Sequence, residues 1–261
     1  MTAAALLVLG TRMLVTAGVV VAASAAVQRT GPFLGAMVAT LPVSAGPAYL
    51  FLALDHGPAF VARSALTSLV SVGATSIFVA CHAAVAGRLP MPLALLTALA
   101  GWVASLAALS QVDWTLGGAF AATVAITLAC IGLTRPLRRH VGPPLPPATR
   151  WETAFRAVTV MAVVLGVTLV GQALGPEAAG YAALMPVVFS SLVVLLQPRI
   201  GGRATAGIMS HGLAGMLGYA PALALLHLAA VPLGAGLALV LALAVCLAWN
   251  GALILVRRRD A

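Results

Sequence analysis

A chain of 261 residues with 62% hydrophobic and only 7% charged side chains, and a mean hydropathy of +1.11, is no water-soluble globule; such a globule would carry about a quarter of its residues charged. The formal charge of +9 invites a nucleic-acid reading, but the arginines sit in short breaks between apolar runs, as membrane orientation demands. No nucleic-acid partner is expected, and the lipid bilayer is the first partner of this chain.

Apolar runs longer than the ~18 residues that mark a spanning helix recur along the whole length. No basic residue precedes the first of them before Arg12, so it reads as a span and not as a cleaved signal peptide. In chain order nine spans are expected, at about 4–27, 31–54, 58–86, 90–109, 114–134, 154–174, 177–197, 203–229 and 231–255. The breaks between them hold helix-stopping or polar residues such as Gly31-Pro32, Asp55-His56-Gly57-Pro58, Arg88-Leu89-Pro90, Asp113, Gly175-Pro176-Glu177 and Arg199 to Arg203. The last break, Val231-Pro232, has no charge.

Alternating sides along nine spans puts 12 of the 14 basic residues on one side, with Arg29, Arg88, Arg135, Arg138, Arg139, Arg150, Arg156, Arg199, Arg203 and Arg257 to Arg259. The other side collects Asp55, Asp113 and Glu177, with only Arg12 and Arg63 in apolar runs. The positive-inside rule makes the basic side cytoplasmic, with the N-terminus outside and the C-terminus inside, as in a bacterial inner membrane.

The chain also repeats itself at a shift of 144 residues. Arg12 meets Arg156, Gln28 meets Gln172, Gly31-Pro32 meets Gly175-Pro176, Pro42-Val43 meets Pro186-Val187, and Gly57 meets Gly201. After a one-residue slip His82 meets His227. Internal repeats weigh heavily in choosing a fold. Three regions follow: a first four-helix repeat in 1–110, a linking helix with a basic, proline-rich linker in 111–153, and a second four-helix repeat in 154–261. Because five spans separate equivalent positions, the second unit would be inverted, giving an all-α, 4+1+4 inverted repeat of nine transmembrane helices. That is an architecture of many secondary transporters.

The run AMVATLPVSAGPAYLFLALDHGPAFVARSALTSL, residues 36–69, has a proline-bearing second span, a polar turn at Gly57 and a third span opening Ala62-Arg63-Ser64. With the Arg88-Leu89-Pro90 turn and Trp102, it resembles the GlpM-like family of small four-helix bacterial inner-membrane proteins. Ser190 and Ser191 replace Gly46 and Pro47 in the second unit. The resemblance implies a four-helix membrane unit and, through the family's association with alginate production, an accessory role in envelope polysaccharide assembly.

No phosphate-binding glycine loop, nucleophile elbow or metal-ligand cluster is present, so neither catalytic residues, a cofactor nor a metal is expected. The three cysteines, Cys81, Cys130 and Cys246, lie singly in apolar runs and read as inert packed thiols. All five acids sit in loops or at span ends, which argues against a carboxylate proton relay.

The polar residues left inside spans are the candidate site. Pro42 and Pro186 each free a backbone carbonyl one turn earlier, and either kink their helices or break them near mid-membrane. The two prolines are expected close to one another, with Ser44, Ser190, Thr67 and His211 facing the same cavity, and Ser68 is a further candidate for contact with the solute. Ser64, Thr67, Ser68, Ser71 and Thr75 share one face of the third span; that face either packs helices closely or lines a pathway. His82 and His227 are expected at opposite mouths, where a charge change between about pH 6 and 7 could control admission. Arg12 either snorkels to the outer interface or holds an anion. The linker Arg135 to His140, with Pro-Pro-Leu-Pro-Pro after it, is expected to meet anionic lipid headgroups. The expected activity is a small transporter or channel-like permease for a small anionic or polar solute, not an enzyme. A homo-oligomer is possible, and a non-transporting accessory protein is the alternative.

Overall fold

The computed structural model describes residues 11, 14–18, 45–139 and 150–259. Most of the expected spans 4–27 and 31–54 lies outside these residues. The described helices are α1 (Ala45–Asp55), α2 (Pro58–Val85), α3 (Met91–Leu109), α4 (Leu116–Thr134), α5 (Arg150–Leu174), α6 (Pro176–Ala183), α7 (Val187–Ile200), α8 (Gly202–Met216), α9 (Tyr219–Leu233) and α10 (Ala235–Arg259). A short 3-10 turn, Arg135–Arg139, follows α4. No strand occurs among the described residues.

Seven helical stretches are long and apolar enough to cross a membrane: Pro58–Val85, Met91–Leu109, Leu116–Arg138, Trp151–Leu174, Pro176–Ile200, Gly202–Leu233 and Ala235–Val256. The chain is a multi-pass, all-helical membrane protein. The outer helices present large apolar side chains outward, among them Leu93, Leu96, Leu128, Leu133, Leu243 and Leu247, as lipid requires.

Hydrogen bonds between helices set their directions. Thr123 Oγ1 donates to the Leu69 carbonyl, and Ser76 and Thr127 pair at 2.9 Å, so α2 and α4 run parallel. Ser64 bonds to Pro176 and Thr75 to Leu184, so α6 also runs parallel to α2. His227 of α9 reaches Ala62 near the start of α2, while Gly202 of α8 packs on the Ala86 carbonyl at its end. The α8–α9 span is therefore antiparallel to α2. Glu152 at the start of α5 pairs with Arg199 near the end of α7, which makes α5 antiparallel to α7.

These directions segregate the charges. The end of the bundle where α2 finishes holds Arg88, Arg135, Arg138, Arg199 and Arg203, and the end where it starts holds Asp55, Asp113 and Glu177. Arg63, exposed, is the basic side chain at the acidic end among the described residues.

Local chemistry sets the ends of the spans. Gly57 takes φ 68° ahead of Pro58, and Gly201 takes φ 83° ahead of α8; both cap the helix that follows. Only glycine adopts this backbone without strain, and proline is pre-organised for the first helical position. Thr115 caps α4 conventionally, its Oγ1 accepting from the Gly118 amide at 3.2 Å. One expected boundary shifts. The break placed at Val231-Pro232 falls instead at Gly234, φ 83°, and Pro232 lies inside the last turn of α9. Glycine's access to positive φ, not proline's missing amide, ends this helix.

α2 is the centre of the bundle, contacted by α1, α3, α4, α6, α8 and α9. Between helices in lipid there is no hydrophobic driving force, so association rests on close packing and hydrogen bonds. Gly180 is where α6 comes closest: a Cβ there would collide with Thr67 Oγ1 and the Ser64 carbonyl oxygen. Gly180→Ala is accordingly expected to cost about 1–3 kcal/mol by overpacking, read as a lower unfolding temperature in detergent. Gly166→Ala on α5, where an added Cβ meets nothing within 4 Å, should leave that temperature unchanged or slightly raised.

Candidate functional site

The span Pro176–Ile200 is interrupted near its middle. Helix α6 stops at Ala183, and α7 begins at Val187 after Leu184 (φ −104°, ψ 20°) and Pro186 (φ −75°, ψ 49°). Pro186 has no amide to offer the Ala182 carbonyl. The Met185 amide turns to that carbonyl instead, at 3.1 Å, and so leaves the Tyr181 carbonyl, its usual acceptor, unmatched along the chain. The Val187 amide folds back to Met185, and no backbone hydrogen bond reaches the Leu184 carbonyl.

The hydroxyl face of α2 satisfies these orphans. Ser71 donates to the Tyr181 carbonyl at 3.1 Å and Thr75 to the Leu184 carbonyl at 2.8 Å. Below them Ser64 donates to Pro176 at 2.9 Å, Thr67 to Glu177 at 3.0 Å and Ser68 to Gly180 at 2.6 Å. Tyr49 of α1 completes the line by donating to Ser68 at 2.7 Å. A ladder of five hydroxyls thus holds the half-helix α6 along one side of α2. Thr67 and Ser68 belong to this ladder.

A second, milder irregularity lies at Leu217-Gly218, between α8 and α9. Pro221 cannot donate to the Leu217 carbonyl, and the Ala220 amide does so at 3.2 Å. The Gly218 amide goes to Gly215, which frees the carbonyl of Ala214. Trp249 of α10 takes it up, its indole Nε1 donating at 2.9 Å. The indole lies so close that a Cβ on Gly218 would stand 2.7 Å from its Cδ1. His227 aligns with Ala62, and Tyr219 lies eight residues, about 12 Å, before it. That sets this turn beside the middle of α2, about one helical turn short of Thr75, which meets the break at Leu184.

Of the other candidates, Ser190 lies half-buried in the first turn of α7, its hydroxyl without a hydrogen bond among the described residues. His211 is half-buried on α8 and engaged in an interaction. His82 is fully buried, and its Nε2 pairs with Gln197 Oε1 at 2.9 Å. The Gln197 amide nitrogen points on to the Leu89 carbonyl at 3.5 Å, which makes Oε1 the acceptor. His82 Nδ1 then has no partner, so a second ring proton would meet no acceptor there. His227 Nδ1 donates to the Ala62 carbonyl at 2.8 Å. The twenty residues of α2 between Ala62 and His82 correspond to about 30 Å along the helix, which puts the two histidines at opposite ends of the bundle. Arg12, Pro42 and Ser44 lie outside the described residues. Among the described residues no three His, Cys, Asp or Glu side chains are grouped as metal ligands.

Among the cavities bordered by described residues are these two. One, of about 420 Å³, is apolar and lies between α1, α9 and α10, lined by residues that include Pro47, Tyr49, Leu223 and Leu243. The other, of about 230 Å³, lies at the basic end between Arg88 and Arg203. Neither is lined by Thr67, Ser68, His82, Pro186, Ser190, His211 or His227. Reading the sequence alone missed Gln197, Tyr49 and Trp249 as partners; a lone carboxamide in an apolar run was the available signal for Gln197. No family model matches this chain, and no curated protein or solved structure does either.

Coupling across the break can be measured. Thr75→Val keeps the side-chain shape and leaves the Leu184 carbonyl without its donor, at an expected cost of about 0.5–2 kcal/mol. In a Pro186→Ala background, where an amide is restored and the helix can close, the same substitution should cost clearly less. Unfolding of the four proteins in detergent gives the double-mutant cycle, and equal costs in both backgrounds would disconnect the hydroxyl from the break.

Proposed function

We propose that this chain is a small permease of a bacterial inner membrane, passing a small anionic or polar solute along the interface between two inverted four-helix units. The observation that carries the reading is the interruption at Leu184–Pro186. It sets the N-terminus of α7 near the middle of its span, and no backbone hydrogen bond crosses the break to the Val188 or Phe189 amides. A helix N-terminus at that depth offers amides and a positive dipole end to an anion, which is how interrupted helices serve transport. The hydroxyl of Ser190 lies in the same first turn.

The inverted arrangement has its own support. Gly57 and Gly201, one shift of 144 apart, have the same unusual backbone, φ 68° and ψ 174° against φ 83° and ψ 159°, each at the head of a span. Those two spans, α2 and α8–α9, run antiparallel and pack on each other. The one-residue slip between the units falls after Gly201 and before His227, an interval that contains the tight turn at Leu217-Gly218. With the basic end cytoplasmic, the first and second units would have opposite orientations.

A second reading, an accessory protein of envelope polysaccharide or lipid assembly built from GlpM-like units, gains from one observation. The hydroxyls of the α2 seam are spent on the carbonyls of α6 and do not line either cavity.

Two measurements separate these ideas. Periplasmic and cytoplasmic reporters fused at Asp113 and at Val141 should report opposite sides, with Val141 cytoplasmic; the same side for both would end the nine-span inverted arrangement. In reconstituted vesicles, a panel of small organic acids, inorganic anions and polar neutral solutes should include at least one that moves faster than through protein-free vesicles. Pro186→Ala should then lower that flux severalfold at unchanged protein level. No flux for any solute would favour the accessory reading.

A further inference from the structure

Arg88 and Arg203 line the smaller cavity, about 230 Å³, at the end of the bundle where the arginines collect. Its floor is Ala83, Ala84 and Gly87 of the α2 terminus, and its wall is Pro136 and Leu137 of the turn after α4. Arg203 lies over Gly87 so closely that a Cβ there would stand 2.8 Å from its Nε. Neither the Arg88 nor the Arg203 guanidinium has a hydrogen bond or ion pair among the described residues. Next in sequence to the wall, Arg138 holds its Nε and Nη2 buried with no acceptor at all among those residues.

Among the described residues no carboxylate counters these charges. Glu152 is engaged with Arg199, and Asp55, Asp113 and Glu177 lie at the opposite end of the bundle. Three guanidinium groups without carboxylates, two of them around a preformed hollow, match the geometry and charge of a phosphate. The hollow is small beside the pockets that take drug-sized solutes. It also lies where spans end, beside the exposed Leu133 in the last turn of α4, so an acyl chain can run down the bundle from a headgroup seated there.

We infer that the cavity between Arg88, Arg203 and the Arg135–Arg139 turn is a binding site for the phosphodiester of an anionic phospholipid. Arg88 and Arg203 clamp the phosphate oxygens, and Arg138 adds charge from behind the wall. The bound lipid would tie the end of α2 to the start of α8 and to the turn after α4. This site is distinct from the break at Pro186 and holds whether or not the chain transports a solute.

The test uses the purified full-length protein in detergent, followed by native mass spectrometry and thermal unfolding. The probes are phosphatidylglycerol, phosphatidylcholine with the same acyl chains, and inorganic phosphate. Phosphatidylglycerol should remain bound and raise the unfolding temperature, and phosphatidylcholine should do neither. Each of Arg88→Gln and Arg203→Gln should weaken phosphatidylglycerol by about fivefold, the worth of one arginine at an anionic surface. Arg63→Gln, at the acidic end, should not. Equal retention of the two lipids by the wild-type protein would overturn the proposal, a comparison that needs no variant to fold. So would unchanged retention in the two glutamine variants. If inorganic phosphate alone matches the stabilisation and displaces phosphatidylglycerol completely, the occupant is a free phosphate and the lipid assignment is wrong.

Discussion

A carbonyl released inside a membrane has no water to turn to, and that constraint organises this structure. In the hydrocarbon region each unsatisfied backbone group costs several kcal/mol, so an interrupted helix persists only where neighbouring groups supply donors. The break at Pro186 releases Tyr181 and Leu184, and Ser71 and Thr75 answer them. The tight turn at Leu217-Gly218 releases Ala214, and the Trp249 indole answers it. Both irregularities are repaired from outside their own span, which makes α2 and α10 parts of the broken spans' backbone accounting. Because α2 must keep five hydroxyls against α6, it lies at the centre, and the glycine at position 180 lets the two backbones approach closely enough for the bonds to form.

This accounting changes the meaning of the polar residues. A seam of serines and threonines on a transmembrane helix would have the same spacing whether it lined water or donated to a neighbouring backbone. Here the donors' lengths, 2.6 to 3.1 Å, and their regular pairing with α6 place them in the second role. The histidines divide similarly. His227 braces α9 against the start of α2, and His82 with Gln197 braces the end of α2 against α7 and the Leu89 turn. At His82 the ring donates once, to Gln197, and no acceptor stands at its other nitrogen.

Much of the fold was legible because lipid leaves a sequence few options. Long apolar runs separated by Gly-Pro and arginine-bearing turns fix helices, and the seven described spans fall where those runs lie. Pro186, through its missing amide, advertised either a kink or a break, and the helix stops at Ala183 and restarts at Val187. The turn at Leu217-Gly218 was hidden, because its cause is Pro221, four residues on, whose missing amide acts backwards along the helix. The end of α9 was misplaced for the complementary reason: Pro232 fits in a last turn, and the positive φ of Gly234 is what stops the helix. Partners across the bundle were not legible. Nothing local to Ser71 or Thr75 says that the receiving carbonyls lie more than a hundred residues away, and nothing local to Arg88 and Arg203 says that they share a hollow.

If the two units descend from one, the ladder also shows how they have diverged. At the shift of 144, the positions of Thr67, Ser68 and Ser71 correspond to His211, Gly212 and Gly215. Residues 58–85 carry the hydroxyls on a continuous 28-residue helix, while residues 202–233 have glycines and a tight turn. The two changes are physically linked. A helix that donates to a neighbour's broken backbone needs side chains and gains nothing from irregularity. A helix rich in glycine loses that capacity, packs closer and tolerates a local tightening that Trp249 can then complete. An asymmetric pair built this way holds one interrupted span firmly through its partner's hydroxyls and the other through a single indole. The α8–α9 turn, with one donor against the five along α6, is therefore the place where the bundle would yield first.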